Sequence, residues 1–327
     1  MLELELSKET ILPDEVKQEF LTYLKENNVD IHSVLFTKDK KIFWEEYFGF
    51  AYGENPKEIP NSRYALHRMY SVTKSVVSIA IGLLASSDRI HLEDHITDYF
   101  PEYVPADPDR RLLETTIKDM LSMRTCHTKT TYKQDLSKNW VESFFTVLPD
   151  KEPGKEFNYD TSSSHVLEAL VEKITGLDSL SFIKKEIPVL GLSKESYIIK
   201  DPFGTAVGGS GLMALPRDIL RLAFLISDNG RIEGKQYISE DYILKATSKI
   251  VATDKTAKNP FESYGYGYFI WRNSHNGYMF YGMNGQFAYF VPEKDIILVT
   301  TADTSSRKDG TQILIDALDK FVISRLF

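Results

Sequence analysis

Tyr278-Met279-Phe280-Tyr281-Gly282-Met283-Asn284-Gly285-Gln286-Phe287-Ala288-Tyr289-Phe290-Val291 is a run of aromatic and β-branched residues cut once by Asn284-Gly285. Such side chains suit a pleated, half-buried surface, and an Asn-Gly pair accepts the left-handed backbone of a tight hairpin. The pattern predicts two strands, Tyr278 to Gly282 and Gln286 to Val291, folded back on each other. Working outward, Asn276-Gly277 sets off an earlier run, Tyr264 to Arg272, and Pro292-Glu293-Lys294-Asp295 leads into Ile296 to Thr301. Together these read as an antiparallel meander. The chain then closes with Thr311 to Phe327, where Leu314, Ala317, Leu318 and Phe321 share one face of a helix.

The opposite end of the chain is similar in kind. Pro13-Asp14-Glu15 opens a helix with Val16, Phe20, Tyr23 and Leu24 on one face. Two strand-like runs follow, Ile31 to Thr37 and Lys41 to Phe48, joined through Lys38-Asp39-Lys40. Between the ends the chain is mainly helical, with Val76 to Ala85, Ser164 to Gly176 and Pro216 to Ile226 as the clearest segments. Helix and strands at both termini imply an α/β (α+β) fold. Its antiparallel sheet is built from both termini with flanking helices, plus an inserted, mostly helical lobe. The boundaries expected are 1–66 with 251–327 for the sheet domain and 67–250 for the insertion.

Composition narrows the function. The 327 residues carry 39 Lys+Arg against 47 Asp+Glu, a formal charge of −8, with no Lys/Arg-rich stretch. Nucleic-acid affinity comes from clustered cations, so no nucleic-acid partner is expected. The longest apolar stretch, Val76 to Ala85, falls short of the ~20 residues of a membrane span, so no membrane association is expected. A single cysteine, Cys126, cannot form an internal disulfide or a cysteine-based zinc site. The acidic start, Met1 to Thr10, lacks the basic and apolar regions of a signal peptide. A cytoplasmic protein is expected, or an extracytoplasmic one if a leader has been removed.

Chemistry enters with Ser71-Val72-Thr73-Lys74. The S-x-x-K spacing recurs at Ser181 to Lys184 and Ser305 to Lys308, but only Ser71 stands at the mouth of a long apolar helix. Lys74 falls one turn on and on the same face, where burial would oppose its charged form and let it accept the serine proton. The alternative is a capping serine followed by a solvated lysine. A second candidate is Tyr159, placed by the Pro153-Gly154 turn just before a helix; a nearby ammonium would lower its phenol pKa. The third is Tyr281 to Phe287, which could equally be a plain hairpin turn. Gly209-Ser210-Gly211-Leu212-Met213-Ala214 lacks the preceding strand of a dinucleotide site. His91-Leu92-Glu93-Asp94-His95 reads as an extended segment rather than a metal site. The aromatic crowd from Tyr264 to Phe290 reads as sheet packing.

Taken in order, these three segments make the chain resemble the serine β-lactamase and penicillin-binding-protein superfamily, in the class C-like branch that also holds esterases, D-amino-acid peptidases and 6-aminohexanoate-oligomer hydrolases. The resemblance covers nearly the whole chain. It implies Ser71 as the acylated nucleophile, Lys74 as the lysine of S-x-x-K and Tyr159 as the tyrosine of Tyr-x-Asn, with Met283-Asn284-Gly285 in the place of Lys/His-Thr/Ser-Gly. Thr161 then replaces the asparagine of Tyr-x-Asn, and Met283 replaces the cation that sits beside a β-lactam carboxylate. Gly282-Met283-Asn284-Gly285-Gln286 is more similar to the esterase and amide-hydrolase members.

The resemblance implies a serine hydrolase that cleaves a small ester or amide through an acyl-enzyme, with no cofactor and no metal. Lys74 or Tyr159 would be the first base, and the amides of Ser71 and Gln286 would bind the oxyanion. Thr161, Met283, Asn284, Gly285 and the Gln286 side chain are the expected substrate contacts. A true β-lactamase or D,D-peptidase, and a non-catalytic ligand-binding relative, are the alternatives. Cys126 is expected to be a small packing residue near the cleft. Oligomeric state is left open.

Overall fold

Asp39 and Lys40 both sit at positive φ, 49° and 61°, between β1 (Asp30–Lys38) and β2 (Lys41–Tyr47). Two left-handed residues in a two-residue turn match the right-handed twist of the strands they join. This N-terminal hairpin meets the C-terminal strands in the computed structural model, which describes residues 2–51, 60–135 and 138–326. The order is β2-β1-β11-β10-β9-β8, with β8 (Trp271–Arg272), β9 (Tyr278–Gly282), β10 (Gln286–Val291) and β11 (Ile296–Asp303). Every neighbouring pair is antiparallel. The sheet is therefore closed by β1 against β11, the two ends of the chain, with Val34 opposite Thr300.

In β1 the residues from Ile31 to Thr37 are all buried, as in a strand covered on both faces. α1 (Asp14–Glu26) packs on β1 and on α11 (Gly310–Ala317), while α9 (Pro216–Ser227) crosses β1, β10 and β11. The middle of the chain thus supplies α9 to the sheet as well as a helical lobe. That lobe contains α3 (Ile96–Tyr99), α4 (Arg110–Leu113), α5 (Ile117–Leu121), α6 (Trp140–Thr146), α7 (Thr161–Thr175) and α8 (Ser179–Glu186). α2 (Val72–Ser86) runs between the two parts, touching α7 and α8 on one side, and β9 and α10 (Glu240–Thr247) on the other. It is buried continuously from Val72 to Leu84, as a helix apolar all round must be. Gly82 permits this: a Cβ there would stand 2.7 Å from the ring of Tyr242.

Three expectations change. Tyr264 to Arg272 is strand only at its end, because Gly265 and Phe269 take positive φ, 115° and 56°, and fold the run back on itself. Gly267 lies so close to Ala246 that a Cβ would meet its carbonyl oxygen at 2.0 Å. The middle of the chain also carries short strands, β3 (His67–Arg68), β4 (Tyr197–Ile198) and β5 (Leu212–Ala214) in one small sheet, and β6 (Arg231–Ile232) with β7 (Lys235–Gln236) in a hairpin. These ladders span two or three residues, too short for a period-2 pattern to register. His91 to His95 forms turns rather than an extended segment, with the Asp94 carboxylate accepting from the His91 amide at 2.8 Å.

Candidate active site

Ser71 is delivered by a sharp bend. Tyr70, just past β3, has φ of 45°, a left-handed conformation that costs a non-glycine residue free energy and persists only where its surroundings impose it. The bend places Ser71 at the N-terminus of α2, yet its side chain makes no capping hydrogen bond. Instead the Lys74 ammonium nitrogen, one turn on, donates to Ser71 Oγ at 3.1 Å and to the Gly209 carbonyl at 2.7 Å. Lys74 is 1% exposed, so the reading as a cap beside a solvated lysine does not hold. Burial lowers its pKa from 10.5 to about 7; the nearby Asp160 charge opposes that shift and Lys133 adds to it.

Gly209 holds the other acceptor because nothing larger fits. A Cβ there would lie 2.0 Å from Thr161 Cγ2, and one at Gly208 would lie 2.4 Å from Glu168 Cβ. The pair is wedged against α7, from which Glu168 reaches the Ser179 amide at 2.8 Å. Burial pushes the Glu168 carboxyl up to about 8. Thr161 therefore braces the turn that holds Lys74, and it does not line the cleft.

Tyr159 is fixed from both sides. Asp160 caps α7, accepting from the Ser162 and Ser163 amides at 2.9 and 3.0 Å, so the helix begins three residues before Ser164. Upstream, α5 carries a Thr116/Asp119 capping box and ends at Leu121, two residues before Met123, whose carbonyl accepts from the Asn158 amide at 2.8 Å. Lys74 Nζ stands 5.0 Å from the Tyr159 ring centroid, and the Ser71 hydroxyl lies near enough to act on the Tyr159 phenol. The sequence-based expectation of a lowered phenol pKa is reversed. Burial of the hydroxyl raises it, and the Ser71 hydroxyl offsets only part of that rise. The ring itself faces the cleft, stacked on Trp271 at 5.6 Å between centroids.

Ser71, Tyr159, Met283, Trp271, Tyr281, Phe157, Asn158, Thr256, Lys258 and Glu262 line a cleft of about 580 Å³, within the range of small-molecule sites. The tip of the β9–β10 hairpin forms one rim. Gly282 abuts the backbone before Ser71, where a Cβ would stand 2.2 Å from the Met69 carbonyl oxygen, and Met283 projects into the opening, 53% exposed. Asn284 and Gly285, at φ of 64° and 87°, make the hairpin turn and are not among the residues lining the cleft. The Gln286 side chain is fully buried and donates to the Ala302, Asn284 and Met283 carbonyls. It ties the hairpin tip together and is not among the residues lining the cleft. Gln286 also pairs with Gly282 across the ladder, whereas the amides of Ser71 and Met283 find no acceptor among the described residues.

Sequence reasoning named Tyr281 only as the start of the hairpin segment and missed Trp271, since an aromatic run reads as sheet packing, and Lys258 and Glu262, which lie in a loop without periodicity. Cys126 is buried, and burial pushes its thiol up to about 12; it lies outside the cleft lining.

The family described as Beta-lactamase matches residues 32–319. A 6-aminohexanoate-dimer hydrolase from Paenarthrobacter ureafaciens is 23% identical over 71% of this chain; the match takes in 65% of that relative, just under two thirds of its length. A putative 6-aminohexanoate-dimer hydrolase from Bacillus anthracis superposes with a TM-score of 0.73 at 20% identity, over 94% of this chain and 81% of its own. EstCE1, a hydrolase with promiscuous acyltransferase activity, gives 0.71 at 16% identity, over 93% and 97%. At these identities the two solved structures speak for the fold.

Proposed function

The chain belongs to the beta-lactamase family, and from that premise we propose that it is a serine hydrolase cleaving a small ester or amide through an acyl-enzyme on Ser71. One observation carries the proposal: a buried lysine with a pKa brought down to about 7 is hydrogen-bonded to the hydroxyl it would deprotonate. Half neutral near pH 7, Lys74 takes the Ser71 proton as Oγ bonds to the substrate carbonyl carbon. The phenol of Tyr159, held above its ordinary pKa, keeps its proton until the C–O or C–N bond breaks. It then protonates the leaving group and recovers a proton from the Lys74 ammonium. Water repeats the sequence on the acyl-enzyme, releasing the acid and restoring Ser71. The Gly209 carbonyl holds Lys74 in line in both charge states.

The oxyanion is assigned to the amides of Ser71 and Met283, in place of the Gln286 amide read from the sequence. Met283 lines the cleft beside Ser71 and its amide is unpaired, whereas Gln286 sits in the ladder behind it. Each such donor is worth ~10²–10³ in turnover. An exposed Met283 in place of a cation favours esters and simple amides over β-lactams, because charge-assisted hydrogen bonds are the strong ones. The test is hydrolysis of p-nitrophenyl acetate and nitrocefin by wild type, Ser71→Ala and Lys74→Met. The reading requires ester turnover by wild type alone and little nitrocefin turnover; equal ester turnover by Ser71→Ala overturns it, and rapid nitrocefin hydrolysis points to a β-lactamase.

A further inference from the structure

The hairpin rim presents Met283, but the same cleft is also lined by a cation. Lys258 is the one Lys or Arg among the described residues lining it, and its ammonium makes no ion pair or hydrogen bond among those residues. Its loop is braced on every side. Thr253 Oγ1 donates to the Glu262 carbonyl at 2.5 Å, and the amides of Lys258 and Asn259 donate to Glu262 Oε2 at 2.9 and 3.1 Å. Gln312 accepts from the Phe261 amide at 3.1 Å, and the Phe261 ring meets Tyr281 edge-on. The fold thus holds the root of an uncommitted ammonium in the cleft lining, while Glu262, the carboxylate that lines the same cleft, accepts both amides on one of its oxygens.

We propose that Lys258 forms an anion subsite, and that the substrate is an ester or amide carrying a carboxylate joined to the scissile carbonyl by an apolar stretch. The inference rests on the acyl-enzyme reading above and adds a substrate class to it. Trp271 and Tyr281 line the cleft together with Ser71 and Lys258 and offer apolar cover to such a connecting stretch. Met283 on the hairpin rim offers no charge, and the charge partner is supplied instead from the loop of Lys258, so a substrate must extend to that loop. A fused β-lactam, with its carboxylate held beside the reacting carbonyl, fits that requirement poorly.

Matched esters test this: p-nitrophenyl hydrogen glutarate against p-nitrophenyl butyrate for a charge on the acyl side, and 4-acetoxybenzoate against phenyl acetate for one on the leaving side. Wild type, Lys258→Ala, Lys258→Glu and the outlying Lys255→Ala are compared by the anionic-to-neutral ratio of kcat/KM. In at least one pair the ratio should fall about fivefold in Lys258→Ala and further in Lys258→Glu, through KM and more steeply at low salt. Lys255→Ala should keep the wild-type ratio. A ratio that ignores position 258 in both pairs, or a wild-type preference for the cationic p-nitrophenyl 4-aminobutyrate, overturns the subsite. Ser71→Ala separates the readings: hydrolysis surviving in it overturns the acyl-enzyme and this proposal with it, whereas Ser71-dependent hydrolysis without a Lys258 effect overturns the subsite alone.

Discussion

The mouth of α2 and the tip of the β9–β10 hairpin face each other across one cleft and are built by opposite rules. At α2 the reactive groups are sunk in protein: Lys74 is buried, Ser71 is aimed by a strained residue, and the acceptor behind them sits on glycines with no room for a Cβ. At the hairpin the polar side chain of Gln286 is turned inward, the Met283 thioether is turned out, and the Met283 amide has no acceptor among the described residues. Chemistry is thus placed where burial can shift a pKa, and substrate choice where a side chain can change without disturbing the fold. Under the proposed function, the side chains at α2 carry the proton transfers, and the exposed side chain on the hairpin bears on what reacts.

The largest expected effect is on the buried side. Ser71→Ala should lose ester turnover by about 10⁴-fold or more, since removing a nucleophile removes the pathway. Lys74→Met should lose comparable activity and yet unfold at higher temperature. A lysine held at about 7 instead of 10.5 costs the fold several kcal/mol at neutral pH, at ~1.4 kcal/mol per unit, and methionine does not carry that cost. Thermal unfolding of the pair checks this. The sign of the pH dependence follows from the same shift: the unfolded chain binds the extra proton between pH 7 and 10.5, so the cost of Lys74 is full below 7 and fades as pH rises. Activity needs neutral Lys74, so kcat/KM should climb through pH about 7, and an acid limb near 10 would sink the assignment.

Tyr159→Phe should come next, about 10²-fold down in kcat with ring stacking on Trp271 retained. Gly209→Ala should cost ~1–3 kcal/mol of stability through the clash with Thr161 and displace Lys74's acceptor, seen as a shifted acid limb. Smallest is Met283→Ala, expected to alter KM severalfold with kcat nearly kept, because the backbone amide remains. If Met283→Ala proved as damaging as Tyr159→Phe, the contrast between the two rims would fail.

Legibility followed the same divide. The sheet from both ends is readable because aromatic strands and Asn-Gly turns leave period-2 runs, and the Ser71–Lys74 pair because it stands at helical spacing at the mouth of a long apolar helix. The Tyr264 to Arg272 run misled, since a chain folded by positive φ at Phe269 keeps the composition of a strand. Gln286 misled for a related reason: a glutamine beside a functional glycine reads as a contact, and only packing reveals that its amide group closes the hairpin. Lys258 left no sequence signal, because its place in the cleft depends on a loop held by a capping box and a distant helix.

The central claim is that Ser71 is the residue acylated, and peptide mapping by mass spectrometry after treatment with a fluorophosphonate probe tests it most directly. The account predicts one adduct, on the peptide carrying Ser71, formed in wild type, slowed in Lys74→Met and absent in Ser71→Ala. An adduct on another serine, or none on a protein that still hydrolyses esters, would contradict it.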